Sequence, residues 1–425
     1  MNHVELKIRE AEAFAKAKKN VSLIIKANPT LSALEYSFGW SIFSLYMSGA
    51  SYVSKRPSAG VHIRMGLPPS MYFVSFGNIP SGFSELLKKE GIGEFKIKLT
   101  KSFAGMTHER GMLFSQRYKK SKVKFVSTGE FKADLAAERI AEDHLNDLSR
   151  FRNEAERVFS RRKPEFVLLD EDRTKYKRVL TEEVSKAGVR TVVMQHGITM
   201  EHLNSGIPFA DDSFTPLYAD SFFCWGEKSL RYMEEKPENS GKIIVGGSPN
   251  LSFCFNGERK VRDVVIIDQQ FQSVEEERSL AYEELIKMLE SSNIDYAIYL
   301  RMEHNRDYLT KLTGGKVIDW RRNGVREEIR KSRVAIGFTS TALIESLYQG
   351  VPAISYDYME NGDVLGLEGG AISSVSSTGE IGKKIKEERE IKRSREEFVD
   401  AARKHIAFEG SESLAKMAGE VLKPK

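Results

Sequence analysis

The sequence predicts an α/β protein with two doubly wound parallel sheets that face each other across a cleft. Short apolar runs alternate with helical patterns along most of the chain, which is the pattern of β-α-β units. The 425 residues exceed what one hydrophobic core holds, since such cores seldom grow beyond about 300 residues. Residues 334–357 (VAIGFTSTALIESLYQGVPAISYD) show one such unit: a charge-free strand, a polar turn, a helix and a second strand.

Apolar runs between turn-forming residues are predicted as strands in both halves of the chain. In the first half they lie near 71–76, 123–127, 166–169, 191–194, 221–225 and 243–245. In the second half they lie near 264–267, 297–300, 316–318, 334–337 and 353–355. The predicted organisation is an N-terminal helical segment (1–66) that belongs to the first domain, a first domain (67–250), a second domain (258–400) and a C-terminal helix (401–425).

The segment 36–54 has no charged residue and is long enough to span a membrane. Its serines recur every three to four residues, which places them largely on one face of a helix, away from the apolar side chains. We therefore expect a packed or amphipathic helix of the first domain. The alternative is a helix lying on a membrane surface, assisted by the upstream lysines at 16, 18, 19 and 26.

Composition favours a cytoplasmic protein, with peripheral association at the inner face of the cell membrane left open by the segment 36–54. The 65 basic and 60 acidic residues give a formal charge of only +5, so charge alone dictates no partner. Cys224 and Cys254 form no CxxC pair, which disfavours a zinc ribbon, a redox motif or a disulfide scaffold. The N-terminus has no pattern of a secretory signal.

Polar side chains follow the predicted strands of the second half, where ligands of open α/β sheets bind. The candidate ligand-binding residues at this edge are Gln269, Arg301, His304, Thr339, Ser340 and Thr341. Arginine, histidine, hydroxyl groups and a helix N-terminus all suit a phosphate diester or diphosphate. Glu345, one helical turn beyond Thr341, is placed to accept hydrogen bonds from a ribose diol. The alternatives are a solvent-facing Glu345 and a hydrogen-bonded loop role for His304.

The first half offers a candidate base at the end of the strand 191–194. Gln195, His196 and Gly197 follow this strand, and the glycine permits a sharp turn that projects the imidazole into the cleft. An imidazole with a pKa near about 6.5 can take a proton from a hydroxyl at neutral pH. His196 is thus the base candidate, with a structural turn histidine as the alternative, and His202 is a weaker candidate.

An acidic triplet, Asp170, Glu171 and Asp172, follows the apolar strand 166–169. It matches the DxD with which one class of glycosyltransferase holds a divalent metal, but such triplets are common by chance. We expect no metal here. Asp170 or Glu171 is predicted to orient His196 or to bind acceptor hydroxyls, and capping of the next helix by Asp172 is the alternative.

Several common enzyme motifs are missing from the sequence. It contains no GxxxxGK[ST] loop and no GxGxxG after a strand, which disfavours nucleotide hydrolases and typical dehydrogenases. HExxH and GxSxG are also absent, which disfavours the commonest zinc proteases and serine hydrolases. Basic and aromatic residues interleave only loosely, so no nucleic-acid partner is expected.

The residues MQHGI (194–198), the preceding VLLDED and GFTSTALIESLYQGVPAISYD resemble GT-B glycosyltransferases of surface-polysaccharide assembly. The likeness spans about 163–357 and is strongest to the group of capsule, polysialic acid and Kdo transferases and teichoic-acid glycerophosphotransferases. It implies two Rossmann-like domains and no metal. It also implies that the His196-Gly197 loop supplies the base and that Ser340 and Thr341 bind the donor phosphate. Many members have His-Pro where this chain has His304-Asn305, so the donor nucleotide stays open between CMP or CDP and UDP types.

This resemblance implies transfer of a sugar, or a related polyol phosphate, from a nucleotide-activated donor to a hydroxyl of a glycan or lipid-linked acceptor. No cofactor is expected, because the nucleotide sugar is itself a substrate. One alternative is a nucleotide-sugar 2-epimerase, which shares the layout and needs no acceptor. Another is a non-catalytic nucleotide-sugar-binding subunit of a polysaccharide assembly complex.

Overall fold

The structure of the chain is a computed structural model that describes the greater part of both predicted domains. The described residues are 71–77, 79–96, 163–172, 175–197, 217–255, 259–268, 275–301, 305–321, 323–338, 340–358 and 369–423, together with 61–62, 98–99 and parts of 12–26 and 149–160. The predicted strand near 123–127 and the segment 36–54 lie outside these residues. No helix in the described part is long and apolar enough to cross a membrane.

The first sheet has six parallel strands in the order β3-β2-β5-β6-β7-β8. Its strands are β2 (Tyr72–Phe76), β3 (Gly93–Lys96), β5 (Phe166–Leu169), β6 (Arg190–Met194), β7 (Ser221–Cys224) and β8 (Ile243–Val245). The helices between them are α1 (Ser81–Lys89), α2 (Lys175–Lys186) and α3 (Glu227–Glu234). A separate antiparallel pair joins β1 (Val61–His62) to β4 (Lys98–Leu99).

The second sheet also has six parallel strands, in the order β11-β10-β9-β12-β13-β14. Its strands are β9 (Arg262–Ile267), β10 (Tyr296–Leu300), β11 (Val317–Asp319), β12 (Ser332–Gly337), β13 (Ala353–Tyr356) and β14 (Ile372–Val375). The helices of this half are α4 (Glu275–Ser291), α5 (Arg306–Leu312), α6 (Val325–Arg330), α7 (Ala342–Tyr348), α8 (Thr378–Glu390) and α9 (Arg395–Arg403).

Both sheets are covered on two faces, as the charge-free strands predict. In β5, Val167 and Leu169 face one apolar cluster while Phe166 and Leu168 face another. Alternation is equally clear in β12, where Ala335 faces the side covered by α6 and α7. The predicted fold class of two doubly wound α/β sheets is confirmed.

Most predicted strands coincide with observed ones to within two residues at either end. Within the two six-stranded sheets, the sequence patterns did not predict β3 and β14, whose half-buried edge positions include Glu94, Ser373 and Ser374. Edge strands carry weaker hydrophobic patterns because only one side of each is paired within the sheet. The charged stretch 380–395, predicted as one or two helices, falls in α8 and the start of α9.

The last helix, α10 (Gly410–Val421), leaves the second sheet and packs on the first. Met417, Ala418 and Val421 belong to the same apolar cluster as Phe73 and Phe83. The Ser413 hydroxyl donates to the carbonyl of Gly246 at 2.7 Å, which ties α10 to the end of β8. The chain therefore crosses between the two sheets a second time near its C-terminal end.

The two crossings of the chain lie side by side and bond to each other. The Ser248 amide donates to the Phe408 carbonyl at 2.8 Å, and the Ala407 amide donates to the Trp225 carbonyl at 2.9 Å. Gly247 has φ +81°, and a Cβ built on it would lie 2.1 Å from the Phe408 carbonyl oxygen. Glycine is required here for both reasons, because the left-handed backbone and the close approach each exclude a side chain.

Replacing Gly247 with alanine tests this crossing. The substitution combines a left-handed backbone cost of about 1–2 kcal/mol with a clash against a backbone oxygen that cannot rotate away. Gly241→Ala is the matched control, because Gly241 has φ +73° and open space around its Cβ position. We expect a lower melting temperature for Gly247→Ala than for Gly241→Ala by differential scanning fluorimetry. Equal losses would contradict the close packing of the two crossings.

Candidate functional site

A cleft of about 220 Å³ lies between the carboxyl ends of the two sheets. The first half contributes Met194, Gln195, His196, Phe223 and Trp225. The second half contributes Arg301, Arg326, Thr341 and Glu345. The linker 247–251 forms another part of the wall, and Met417 reaches the cleft from α10. The first half supplies a largely apolar floor, and the second supplies most of the charge.

His196 is exposed at the end of β6, and a backbone contact helps to orient its ring. Nδ1 lies 2.7 Å from the carbonyl oxygen of Asp170. Because a carbonyl only accepts hydrogen bonds, Nδ1 carries the proton, and in the neutral ring the lone pair lies on Nε2. The imidazole therefore has the tautomer that a base acting through Nε2 requires.

Gln195 is buried and holds the turn that carries His196. Its side-chain nitrogen donates to the Gly197 carbonyl at 2.7 Å and to the Ser229 hydroxyl at 3.1 Å. Its side-chain oxygen accepts from the Trp225 amide at 2.6 Å, and the Trp225 indole donates to the Gln195 carbonyl at 2.8 Å. A buried amide with every group bonded rigidifies its surroundings. Gln195, which directly precedes His196, thus stabilises the loop that carries the imidazole.

The His196 loop lies directly across from the polar turn of the second half. A Cβ built on Gly197 would lie 3.6 Å from the Thr341 hydroxyl oxygen. Thr341 is half-buried, whereas Ser340 is 2% exposed and its hydroxyl accepts from the Ala342 amide at 3.3 Å. Of these two hydroxyls, that of Thr341 borders the cleft, while the Ser340 hydroxyl bonds within the turn.

Arg301 follows β10 directly and is exposed at the cleft. Among the residues that the structure describes, its guanidinium has no hydrogen bond or ion pair. Its positive charge acts on the neighbouring Tyr299 phenol, whose pKa is raised chiefly by burial while Arg301 opposes the rise. An arginine without a protein partner at a cleft is available to bind an anion.

Arg326 and Glu345 form an ion pair on the same wall. The Arg326 Nε donates to Glu345 Oε2 at 2.7 Å. Glu345 is among the residues that line the cleft, and one of its carboxylate oxygens is already bonded to Arg326. Arg326 was not predicted from the sequence, because it lies within a helix and not directly after a strand. The strand before that helix, β11, is a half-buried edge strand.

Two carboxylates of the acidic triplet share one ammonium group within the first half. Lys177 Nζ lies 2.5 Å from Asp170 and 2.8 Å from Glu171. Burial lowers the pKa of the Lys177 ammonium, but attraction by Glu171 and Asp170 outweighs it, so the pKa is raised overall. A Cβ on Gly77 would lie 2.1 Å from an Asp170 carboxylate oxygen, so this carboxylate is packed against a glycine that cannot be enlarged.

The contact between the triplet and His196 is made by the backbone of Asp170. Asp170 orients His196 through its backbone carbonyl, while its carboxylate is paired with Lys177. The Asp172 carboxylate accepts the amides of Tyr218 and Ala219, each at 2.7 Å, and so joins two loops. Among the described residues, no group of three or more His, Cys, Asp or Glu side chains is arranged to hold a metal.

A buried network around Asp268 holds Asn305, at the start of α5. The Asp268 carboxylate is fully buried and accepts from the Tyr282 hydroxyl at 2.9 Å and from the Asn305 amide at 3.2 Å. Asp268 thus holds the start of α5 and is not among the residues that line the cleft. The candidates Gln269, His304, Thr339 and His202 lie outside the described residues and stay predictions.

Comparison with known proteins identifies the fold. No protein-family model and no curated protein matches the sequence. One similar solved structure comes from Listeria monocytogenes and is named as a candidate UDP-N-acetylglucosamine 2-epimerase. Its TM-score is 0.53 and its sequence identity is 13%, and the match covers 83% of this chain and 95% of that one. The S. aureus MnaA complex with UDP matches with TM-score 0.56 and 9% identity, covering 83% and 96%.

Glycosyltransferases are also among the similar structures. The calicheamicin glycosyltransferase CalG4 matches with TM-score 0.45 and 12% identity over 84% of this chain and 98% of that one. At such low identity, likeness of structure is informative about fold and not about activity. The two six-stranded parallel sheets and the likeness to the two bacterial structures show that this chain has the two-domain α/β architecture known as GT-B.

Proposed function

We propose that this protein is a glycosyltransferase that moves a sugar, or a related polyol phosphate, from a nucleotide-activated donor to a hydroxyl of a glycan or lipid-linked acceptor. The observation that carries the proposal is the convergence of His196 from one sheet and Arg301 from the other on a single cleft. Group transfer from a phosphate ester needs a base for the incoming hydroxyl and positive charge for the departing phosphate. The two sides of the cleft supply one each.

The proposed reaction assigns a separate task to each wall. Nε2 of His196 takes the proton of the acceptor hydroxyl while the oxygen of that hydroxyl bonds to the transferred group. The bond between that group and the donor phosphate breaks, and the phosphate keeps the electron pair. Arg301 then stabilises the negative charge of the departing phosphate, so the proposed reaction uses no metal. Thr341 is placed to donate a hydrogen bond to the same phosphate.

Glu345 is proposed to bind the donor's ribose, since one carboxylate accepts two hydroxyl hydrogen bonds. The nucleobase stays open between cytidine and uridine types, and the UDP held by MnaA makes UDP a member of the panel to be tested first. A lipid-linked acceptor would place the protein at the inner face of the cell membrane. The segment 36–54 is the part of the chain proposed to contact that surface.

A 2-epimerase is the second candidate, favoured by the similar structure from Listeria monocytogenes. Such an enzyme needs acidic groups placed to abstract and return a proton at the sugar ring. Asp170 and Glu171 are instead paired with Lys177, and Glu345 is paired with Arg326. These pairings favour transfer. Appearance of an epimerised sugar without any acceptor would identify the epimerase, and nucleotide binding without donor turnover across an acceptor panel would identify a non-catalytic subunit.

Substitution of His196 by alanine tests the proposed base. We expect turnover of the nucleotide sugar to fall by about 100-fold or more, because general-base catalysis contributes about 10²–10⁴-fold. Nucleotide affinity, measured by isothermal titration calorimetry, should change little because the base does not bind the donor. Unchanged turnover in a protein that folds normally would remove His196 from the reaction.

Substitution of Arg301 by alanine tests the proposed anion site. Loss of a charged hydrogen bond should weaken binding of the preferred nucleotide, chosen from CMP, CDP, UDP and GDP, by about 10–100-fold. Arg321→Ala is the matched control, because Arg321 is an exposed arginine at the same end of the sheet but pairs with Asp319 at 2.7 Å. Equal affinities for wild type and Arg301→Ala would contradict the anion site.

A further inference from the structure

The ion pair between Arg326 and Glu345 joins two helices at the wall of the cleft. Both side chains line the cleft, with 37% and 20% of their surface exposed. Only Oε2 of the carboxylate is bonded to the guanidinium, through Nε at 2.7 Å. Among the described residues, Oε1 has no hydrogen-bond partner, and neither do the two terminal nitrogens of Arg326. One oxygen is therefore held while the other remains able to accept.

Both helices that carry this pair are firmly anchored. In α7, Leu343, Ile344, Leu347 and Tyr348 are all buried, so Glu345 extends from a backbone that cannot move without disturbing the core. A second bridge joins the same helices one turn away, where Arg330 Nη1 donates to the Gln349 side-chain oxygen at 2.7 Å. The separation between α6 and α7 is thus fixed independently of the ion pair.

A buried acid holds the start of α6, where Arg326 lies. Glu328 is 1% exposed and accepts from Arg262 at 2.6 Å and from the Asn323 side chain at 2.7 Å. The Tyr299 hydroxyl donates to the Asn323 carbonyl at 3.1 Å, which ties the same loop to β10. The Arg326 backbone is therefore preorganised before any ligand binds, and a preorganised contact loses little entropy on binding.

We propose that Arg326 is a positioning residue that holds the Glu345 carboxylate so that its second oxygen accepts hydrogen bonds from the ribose diol of the donor nucleotide. This inference rests on the proposed function, because it requires a nucleotide in the cleft. The Nε contact restricts the rotation of the carboxylate, so Oε1 meets both hydroxyls without a further loss of side-chain entropy. Arginine suits this task because its planar group fixes direction as well as charge.

The alternatives to positioning make different predictions. If Arg326 binds phosphate directly, its removal lowers the affinity for ribonucleotides and 2′-deoxyribonucleotides equally, since both carry the same phosphates. If the ion pair only stabilises the fold, its loss should resemble the loss of the Arg330 bridge. A positioning role alone makes the preference for ribose depend on Arg326.

The test is the ratio of affinities for a nucleoside diphosphate and its 2′-deoxy form, measured by calorimetry with UDP and 2′-dUDP or with CDP and 2′-dCDP. The variants are Glu345→Gln, Arg326→Gln, their double variant and the control Arg330→Gln. We expect Glu345→Gln and Arg326→Gln each to lower the ratio by about tenfold, which is a typical loss for one charged hydrogen bond. The double variant should match Glu345→Gln alone, because the two residues act as one unit. Arg330→Gln should keep the wild-type ratio.

Three results would overturn the inference while leaving the proposed function intact. The first is that Arg326→Gln weakens binding of both nucleotides equally. The second is that Arg330→Gln lowers the affinity ratio as far as Arg326→Gln does. The third is that Glu345→Gln keeps the full preference for ribose. A wild-type protein that binds none of these nucleotides would instead contradict the proposed function, and the inference with it. Melting temperatures of all variants verify that each is folded under the conditions of the titration.

Discussion

The double crossing of the chain is the constraint from which the cleft follows. The linker at Gly247 and the return segment at Phe408 run side by side, bonded through their backbones, with no space for a side chain between them. Because α10 then joins the core of the first sheet, the two sheets are linked at two points of the chain instead of one. Their carboxyl ends are thereby held facing each other, and residues from distant parts of the sequence, such as His196 and Thr341, become neighbours.

The two walls of the cleft differ in how their polar groups are supported. On the first wall, backbone and amide groups orient the site. The Asp170 carbonyl orients the His196 ring, and the Gln195 side chain bonds to the turn that carries it. On the second wall, buried acids hold residues near the two arginines. Asp268 accepts from Asn305, and Glu328, within the helix that carries Arg326, accepts from Arg262. The pKa of Glu328 stays below its ordinary value although burial raises it, because hydrogen bonds from Arg262 and Lys331 outweigh that cost.

Sequence patterns predicted the sheets and part of the cleft, for physical reasons that also explain the omissions. Strands buried on both faces are charge-free, so β5 and β12 were recognisable. Residues that follow parallel strands, such as His196 after β6 and Arg301 after β10, lie at the ligand-binding edge by geometry. Side-chain pairing leaves no such pattern. The neutralisation of Asp170 by Lys177, the pairing of Glu345 with Arg326 and the arrival of Met417 from α10 depend on packing between elements far apart in the sequence.

The facing of the two walls is most directly tested by a disulfide across the cleft. In the double variant Gly197→Cys with Thr341→Cys, made with Cys254 replaced by serine, the new sulfurs should fall within bonding range, since a Cβ at Gly197 lies 3.6 Å from the Thr341 hydroxyl. Mild oxidation should link them within one chain, as seen by mass spectrometry after proteolysis. The control pair Gly188→Cys with Thr341→Cys, with one cysteine at the opposite end of β6, should stay reduced. Absence of the link in the first pair, or equal linking in both, would contradict the arrangement of the cleft.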